Sequence, residues 1–219
     1  ELAGTLAALA GARWPWAPCG RKGITGRVNT VRAETRLPAA ECSAMPRRSL
    51  HSRRVSTLTT ARTRMRPFAP DDVEAAFGVF GDAEVMRWCA GEADASVEAT
   101  RDRLARYAAH QVRYGFSKWA VLDGVSGEYL GDAGIMTLRE TSELELGFRL
   151  ARHAWGRGLA TEVARAWLEH GLRTLGLPRV IAFAHPDNAA SLRVLDKLGM
   201  TFDRSDRLAG MDALVYTAP

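Results

Sequence analysis

Apolar residues recur with two different periods along this chain, and each period predicts an element. Val73, Ala76, Phe77 and Phe80 share one face at helical spacing, behind Pro70 and the N-cap candidates Asp71 and Asp72. A second helix is expected from about Ser96 to His110, with Ser96 at its cap and Leu104 and Tyr107 on one face. Arg62, Arg64 and Arg66 alternate with Thr63 and Met65, as in an edge strand with one wet face. From Phe116 the period shortens. Residues 118–122 read as a strand, Asp123-Gly124 and Ser126-Gly127 as turns, and Tyr129 to Thr137 as the next strand. Residues 143–150 alternate strictly: Leu144, Leu146 and Phe148 point one way, Glu143, Glu145 and Gly147 the other. This is a meander of antiparallel strands.

A helical rhythm then returns. His153-Ala-Trp-Gly-Arg-Gly-Leu-Ala160 follows a strand directly and opens a helix carrying Leu159, Val163, Ala166 and Trp167, with Gly171 and Gly176 in its later part and end. Residues 180–184 read as a buried strand, 185–188 as a turn, and 189–198 as a short helix with Ser191, Val194, Leu195 and Leu198 on one face. Gly199 stops that helix before a further strand at Met200.

The loop before the first of these two helices carries chemistry. Glycines at 156 and 158 let backbone N–H groups approach an anion, the helix N-terminus adds about half a positive charge, and Arg157 adds a full one. An ordinary tight turn has the same glycines, so the loop alone is weak. No G-x-x-x-x-G-K-[ST] is present, and Thr161 stands where a Rossmann loop has its third glycine. A diphosphate site of another kind remains.

Composition changes the picture in two respects. The 219 residues suffice for one domain, 47% are hydrophobic and 25% charged, and no apolar run is long enough to span a membrane. The net charge of +5 is unevenly spread: residues 1–60 hold ten Lys and Arg against three acidic residues, and residues 61–219 hold twenty against twenty-two. The domain itself is slightly acidic, which argues against a nucleic-acid partner. Cys19, Cys42 and Cys89 form no C-x-x-C pair and are odd in number, so neither a disulfide framework nor a metal site is expected, and a cytoplasmic setting fits. Residues 1–58 contain scattered Arg, Gly and Pro without a sustained period and are expected to be a basic extension outside the domain at 59–219. A misassigned start or cloning remnant, a transit peptide, and an anionic-surface contact through Arg47, Arg48, Arg53 and Arg54 are the readings open for it.

Taken together, Thr60-Ala-Arg-Thr-Arg-Met-Arg-Pro67, Glu145-Leu-Gly-Phe-Arg-Leu150, Trp155-Gly-Arg-Gly-Leu-Ala-Thr-Glu162 and Asn188-Ala-Ala-Ser-Leu-Arg-Val-Leu-Asp-Lys-Leu-Gly199 resemble the GNAT superfamily of N-acetyltransferases in order and spacing. The likeness is nearest to the branch containing the ribosomal-protein N-terminal acetyltransferases and spans about Thr60 to Thr217. It implies an α+β domain: a curved, mixed, mostly antiparallel sheet flanked by helices, with two central parallel strands splayed apart. It implies acetyl-CoA as co-substrate and direct transfer in a ternary complex to a primary amine, on a small molecule or a protein N-terminus, by a monomer or homodimer. Phe148, Leu150, His153, Trp155, Gly156, Arg157, Gly158, Leu159, Ala160, Asn188 and Ser191 fall at the positions the resemblance assigns to CoA binding.

An amine acceptor is protonated at neutral pH and needs a base before it attacks a thioester. Glu145 stands where many family members place a strand glutamate and is the first candidate, with Glu143 beside it; the pair also fits a plain wet strand face. The tyrosine that many members use as acid is Leu195 here, which cannot donate. Ser191 is the alternative that the ribosomal-protein branch suggests, although a small residue at a helix start reads the same way. His185 is the second-choice base, against a turn residue before Pro186. Trp88 and Trp155 read as packing residues and Cys89 as a small buried hydrophobe. Leu195 also leaves room for a different reading, an acyl-CoA-binding sensor that kept the cradle and lost the acid.

Overall fold

The computed structural model describes residues 57–89, 91–138 and 141–218. Most of the basic extension, with Cys19 and Cys42, lies outside the described residues, and Leu58 already pairs in the first strand.

Eight strands form one open sheet in the order β1-β2-β3-β4-β5-β6-β8-β7. They are β1 (Leu58–Thr59), β2 (Thr63–Arg66), β3 (Lys118–Asp123), β4 (Tyr129–Thr137), β5 (Leu144–Leu150), β6 (Ile181–Ala184), β7 (Thr201–Leu208) and β8 (Met211–Thr217). The helices are α1 (Val73–Phe80), α2 (Ala83–Met86), α3 (Val97–Tyr114), α4 (Leu159–Glu169) and α5 (Ala189–Lys197). Every neighbouring pair is antiparallel except β5 with β6, which are joined through α4 and run parallel. This is the expected mixed sheet. Those two strands share one registered pair, Glu145 with Ile181, and part beyond it.

Side-chain alternation sorts the sheet's two faces. On β5, Leu144, Leu146 and Leu150 meet Leu159, Val163 and Trp167 of α4. Trp119 of β3 joins them edge-to-face with Trp167, ring centroids 4.8 Å apart. Each fully buried aliphatic side chain of this kind contributes about 1.5–3 kcal/mol. The opposite face carries Glu145, Gly147 and Arg149 of β5 with Asp132 and Gly134 of β4. It is covered by α1 and α3, where Phe80, Leu104 and Tyr107 form a second cluster against Met136 and Tyr129.

Three expectations change in detail. β2 is not the edge of the sheet, because the two-residue β1 pairs along it; the alternation holds, with Thr63 and Met65 buried and Arg64 exposed. Asp72 does not cap forward into α1. Its carboxylate turns back to accept from Ala69 N–H and from both Nη atoms of Arg66, because the chain before α1 runs close to β2. The second predicted helix continues one turn past His110 to Tyr114, where Gly115 ends it in a left-handed conformation; Ser96 caps its start as expected.

Candidate active site

The parted strands open a cleft of about 730 Å³. Leu146 to Leu150 of β5 and Ala182 to Ala184 of β6 form its walls, so it runs through the sheet from the α4 side to the α1–α3 side. Backbone polar groups along the parted edges of the two strands are open to an inserted chain that carries amides.

At the α4 end stands the glycine loop. Gly156 and Gly158 have φ of 70° and 77°, a region that other L residues occupy at a cost of about 1–3 kcal/mol. A Cβ on Gly156 would meet nothing within 4 Å, so backbone conformation and not crowding demands glycine there. Among the described residues, no acceptor takes the backbone N–H groups from Gly156 to Thr161; the first bond of the helix runs from Glu162 N–H to the Gly158 carbonyl. Six successive donors at a helix N-terminus form an anion cradle.

The loop is braced from β2's side. Arg62 donates through Nη1 to the Arg157 carbonyl at 2.7 Å and through Nε to Glu162 Oε2 at 2.7 Å. Glu162 also accepts from Arg62 N–H and from the Thr60 hydroxyl. Burial opposes the Glu162 carboxylate's charge, but these donors outweigh it and hold its pKa below the ordinary glutamate value. A carbonyl held by Arg62 fixes the 157–158 peptide plane, and with it the direction of the Gly158 N–H.

At the middle of the cleft, Glu145 accepts from Lys118 Nζ at 2.9 Å, the two side chains being 15% and 7% exposed. Lys118, Gly134 and Gly147 lie in register across three strands. A Cβ on Gly147 would collide with Lys118 Nζ and Glu145 Oε1, so this glycine makes the trough in which the pair lies. Removing one partner of such a pair strands the other charge, while the intact pair gives little net stability.

The other expected residues divide. Phe148, Leu150, Trp155, Gly156, Gly158, Leu159, Ala160, Asn188 and Ser191 line the cleft; His153, Arg157 and His185 do not. His153 is half exposed, with Nε2 3.3 Å from Glu128. His185 stacks on Trp88 and its Nδ1 accepts from Asp187 N–H. Glu143 is committed to Arg204, outside the cleft. Asn188 Oδ1 caps α5 by accepting from Ser191 N–H, which leaves its Nδ2 hydrogens to donate. Ser191 Oγ has no partner among the described residues. Leu195 is 1% exposed in the core. Trp155 is 46% exposed on the cleft wall, with its ring N–H on the Leu150 carbonyl, and Trp88 lines the cleft too, so neither is a core packing residue. Cys89 also lines the cleft, and burial pushes its thiol up.

Lys118, Arg103, Tyr107, Arg149 and the Arg62–Glu162 brace were missed from sequence. The period-2 pattern that singled out Glu145 and Gly147 also puts Arg149 on their face, a signal that was available. Lys118 announced itself only as a charge opening an apolar strand.

Residues 62–201 match the model of the acetyltransferase (GNAT) domain family. An uncharacterized protein of Bacillus subtilis, YkkB, is 33% identical over 162 residues, covering 73% of this chain and 93% of the relative. An uncharacterized N-acetyltransferase of the same organism, YoaA, is 31% identical over 144 residues, 65% of this chain and 81% of its own length. A solved structure of a putative GnaT-family acetyltransferase from Bordetella pertussis superposes with a TM-score of 0.65 at 27% identity, covering 74% of this chain and 99% of that one. The splayed parallel pair, the glycine loop that heads α4 and these likenesses converge: the chain belongs to the GNAT family of N-acetyltransferases.

Proposed function

We propose that this protein moves an acetyl group from acetyl-CoA to a primary amine by direct attack in a ternary complex. The observation that carries the reading is the run of unpartnered N–H donors from Gly156 to Thr161 at one end of a cleft whose middle holds the Lys118–Glu145 pair.

The cradle fits a diphosphate, since it offers backbone donors and a helix N-terminus to an anion and leaves open space where side chains would stand. Arg193 and Lys197, one turn apart on α5 and both lining the cleft, add cationic charge suited to phosphate. Asn188 Nδ2 and the unpaired edges of β5 and β6 suit the amides of a pantetheine arm. Acetyl-CoA, when bound, supplies the thioester.

Within this reading the residues divide the proton work. Glu145 takes a proton from the acceptor ammonium, directly or through one water, while Lys118 holds its carboxylate in place. The cationic Lys118 and Arg149 disfavour a second positive charge nearby and so favour the free amine. Nitrogen then bonds to the acetyl carbon and gives up its second proton to solvent, the carbon–sulfur bond breaks, and Ser191 Oγ gives the departing sulfur a proton that solvent replaces. Burial pushes the thiol of Cys89, which lines the cleft, up and away from thiolate character, so it is given no role in the transfer.

Thiol release from acetyl-CoA, followed against a panel of amines with calorimetry of acetyl-CoA binding alongside, tests the proposal. Amine-dependent release with a matching acetylated product is expected. Tight acetyl-CoA binding without transfer to any amine would leave the sensor reading in its place.

A further inference from the structure

The α1–α3 end of the cleft presents two guanidiniums with their counter-charges turned away. Arg103 of α3 and Arg149 of β5 both line the cleft, and each lies over the Phe80 ring, 4.9 and 4.8 Å from its centroid. Asp94 accepts from Nε and Nη2 of Arg103, and Asp132 accepts from Nε and Nη2 of Arg149. The Tyr107 hydroxyl accepts a further Nη2 hydrogen of Arg149 at 2.6 Å. Neither aspartate lines the cleft. Among the described residues no oxygen takes Nη1 of either arginine, although the Cys89 thiol lies beside Arg149; Arg103 therefore keeps donors on Nη1 and Nη2, and Arg149 keeps those of Nη1. One fork, on Arg103, and one further donor nitrogen, on Arg149, match a carboxylate.

The remaining charges narrow the choice. Of the carboxylates lining the cleft, Glu145 is taken by Lys118 and the exposed Glu84 lies 3.9 Å from Arg87, so a polycationic acceptor would face more cations than anions. Arg149 and Glu145 lie four residues apart on one face of β5, about 13 Å at the rise of a strand. After allowance for both side chains, an amine at Glu145 and an anion at Arg149 Nη1 are separated by several bonds, not by one carbon.

We propose that the acceptor carries a carboxylate several bonds from its reacting amine, as in a longer ω-amino acid or a short peptide with an acidic side chain near its N-terminus. This rests on the acetyl-transfer reading above. Arg103 and Arg149 hold the carboxylate and thereby aim the amine at Glu145.

Competition between matched acceptors tests it. One arm sets 4-aminobutyrate and 6-aminohexanoate against their amides and against alkylamines of equal length. The other sets C-terminally amidated dipeptides with Glu in the second position against those with Gln. A kcat/KM advantage of at least about tenfold for carboxylate members is expected, the worth of one charge-assisted hydrogen bond. The arm that shows the larger advantage tells the free amino acid from the peptide. Arg103→Gln should shrink that ratio about tenfold. Arg103→Lys, which keeps the charge facing Asp94 but loses the fork, should recover only part of it. Amide members within twofold of their acids, or a preference for diamines, would overturn the proposal while acetyl transfer stands. If acetyl-CoA binds and no amine of any class is acetylated, both readings fall together.

Discussion

The two ends of the cleft present hydrogen-bond donors by different means. At the α4 end the donors are backbone N–H groups from Gly156 to Thr161, set by two glycines and oriented by Arg62. At the α1–α3 end they are side chains, Arg103 and Arg149, brought together from a helix and a strand, each with a carboxylate partner. Backbone donors accept nearly any side chain around them provided φ is right. Side-chain donors depend on partners far away in sequence. The first end is thus suited to the part of a reaction that a family shares, and the second to the part in which members differ.

The comparison breaks most sharply at the centre, where the ends meet. Glu145→Gln keeps an acceptor for Lys118 but removes the proposed base. It should lower kcat by about 10²–10⁴-fold and leave acetyl-CoA affinity nearly unchanged, with the deficit shrinking at high pH as free amine forms without help. Wild-type kcat with an unaltered acid limb of the pH–rate profile would move the base elsewhere, and His185 would be tested next. Gly147→Ala sharpens the same point: the new Cβ displaces the ends of two flexible side chains and not the backbone. The variant should fold, bind acetyl-CoA and turn over about tenfold more slowly, consistent with partial loss of a general base.

Disturbing the backbone end should act on binding instead. Gly156→Val or Gly158→Val forces a β-branched residue into φ near 70° and misdirects the donors, and acetyl-CoA affinity measured by calorimetry should fall about 100-fold. His153→Ala should have a mild effect, since that side chain stands outside the cleft. Undiminished affinity in both glycine variants would dismiss the cradle.

The smallest effect concerns the brace. Glu162 has its pKa held below the ordinary value of 4.5, so the stability it gives is complete above that pH and fades as pH falls through the lower folded value. Replacing it with Gln should lower the Tm by about 2–4 °C at neutral pH, the shift for about 1 kcal/mol in a chain of this size. The difference between wild type and variant should close in acid. A constant difference across the acidic range would mean that Glu162 works through packing and not through its charge.

How far the site was legible follows from the same contrast. The glycine loop announced itself because two glycines before an amphipathic helix are a local pattern, and the strict alternation around Glu145 exposed a face of β5 to inspection. Asn188 was visible as the residue heading a short helix, although its cap to Ser191 N–H was not foreseen. Lys118, Arg103 and Tyr107 lie 27 to 42 residues from Glu145 in the chain, and nothing in their own neighbourhoods marks them. His153 and Arg157 stand at motif positions, yet their side chains lie outside the cleft, because a motif fixes where backbone runs and not which way each side chain turns.

The sequence by itself determined the elements and the loop that heads α4, since period, capping and glycine placement act over a few residues, while the α+β class was what the family resemblance implied. The tertiary structure decided the rest. Register across β3, β4 and β5 set Lys118 over Gly147 beside Glu145, and the parting of β5 from β6 after one shared pair opened the cleft. The packing of α3 on the sheet brought Arg103 and Tyr107 to Arg149. Each of these juxtapositions depends on loop closure and burial summed over the whole domain, a balance that no local window of sequence contains.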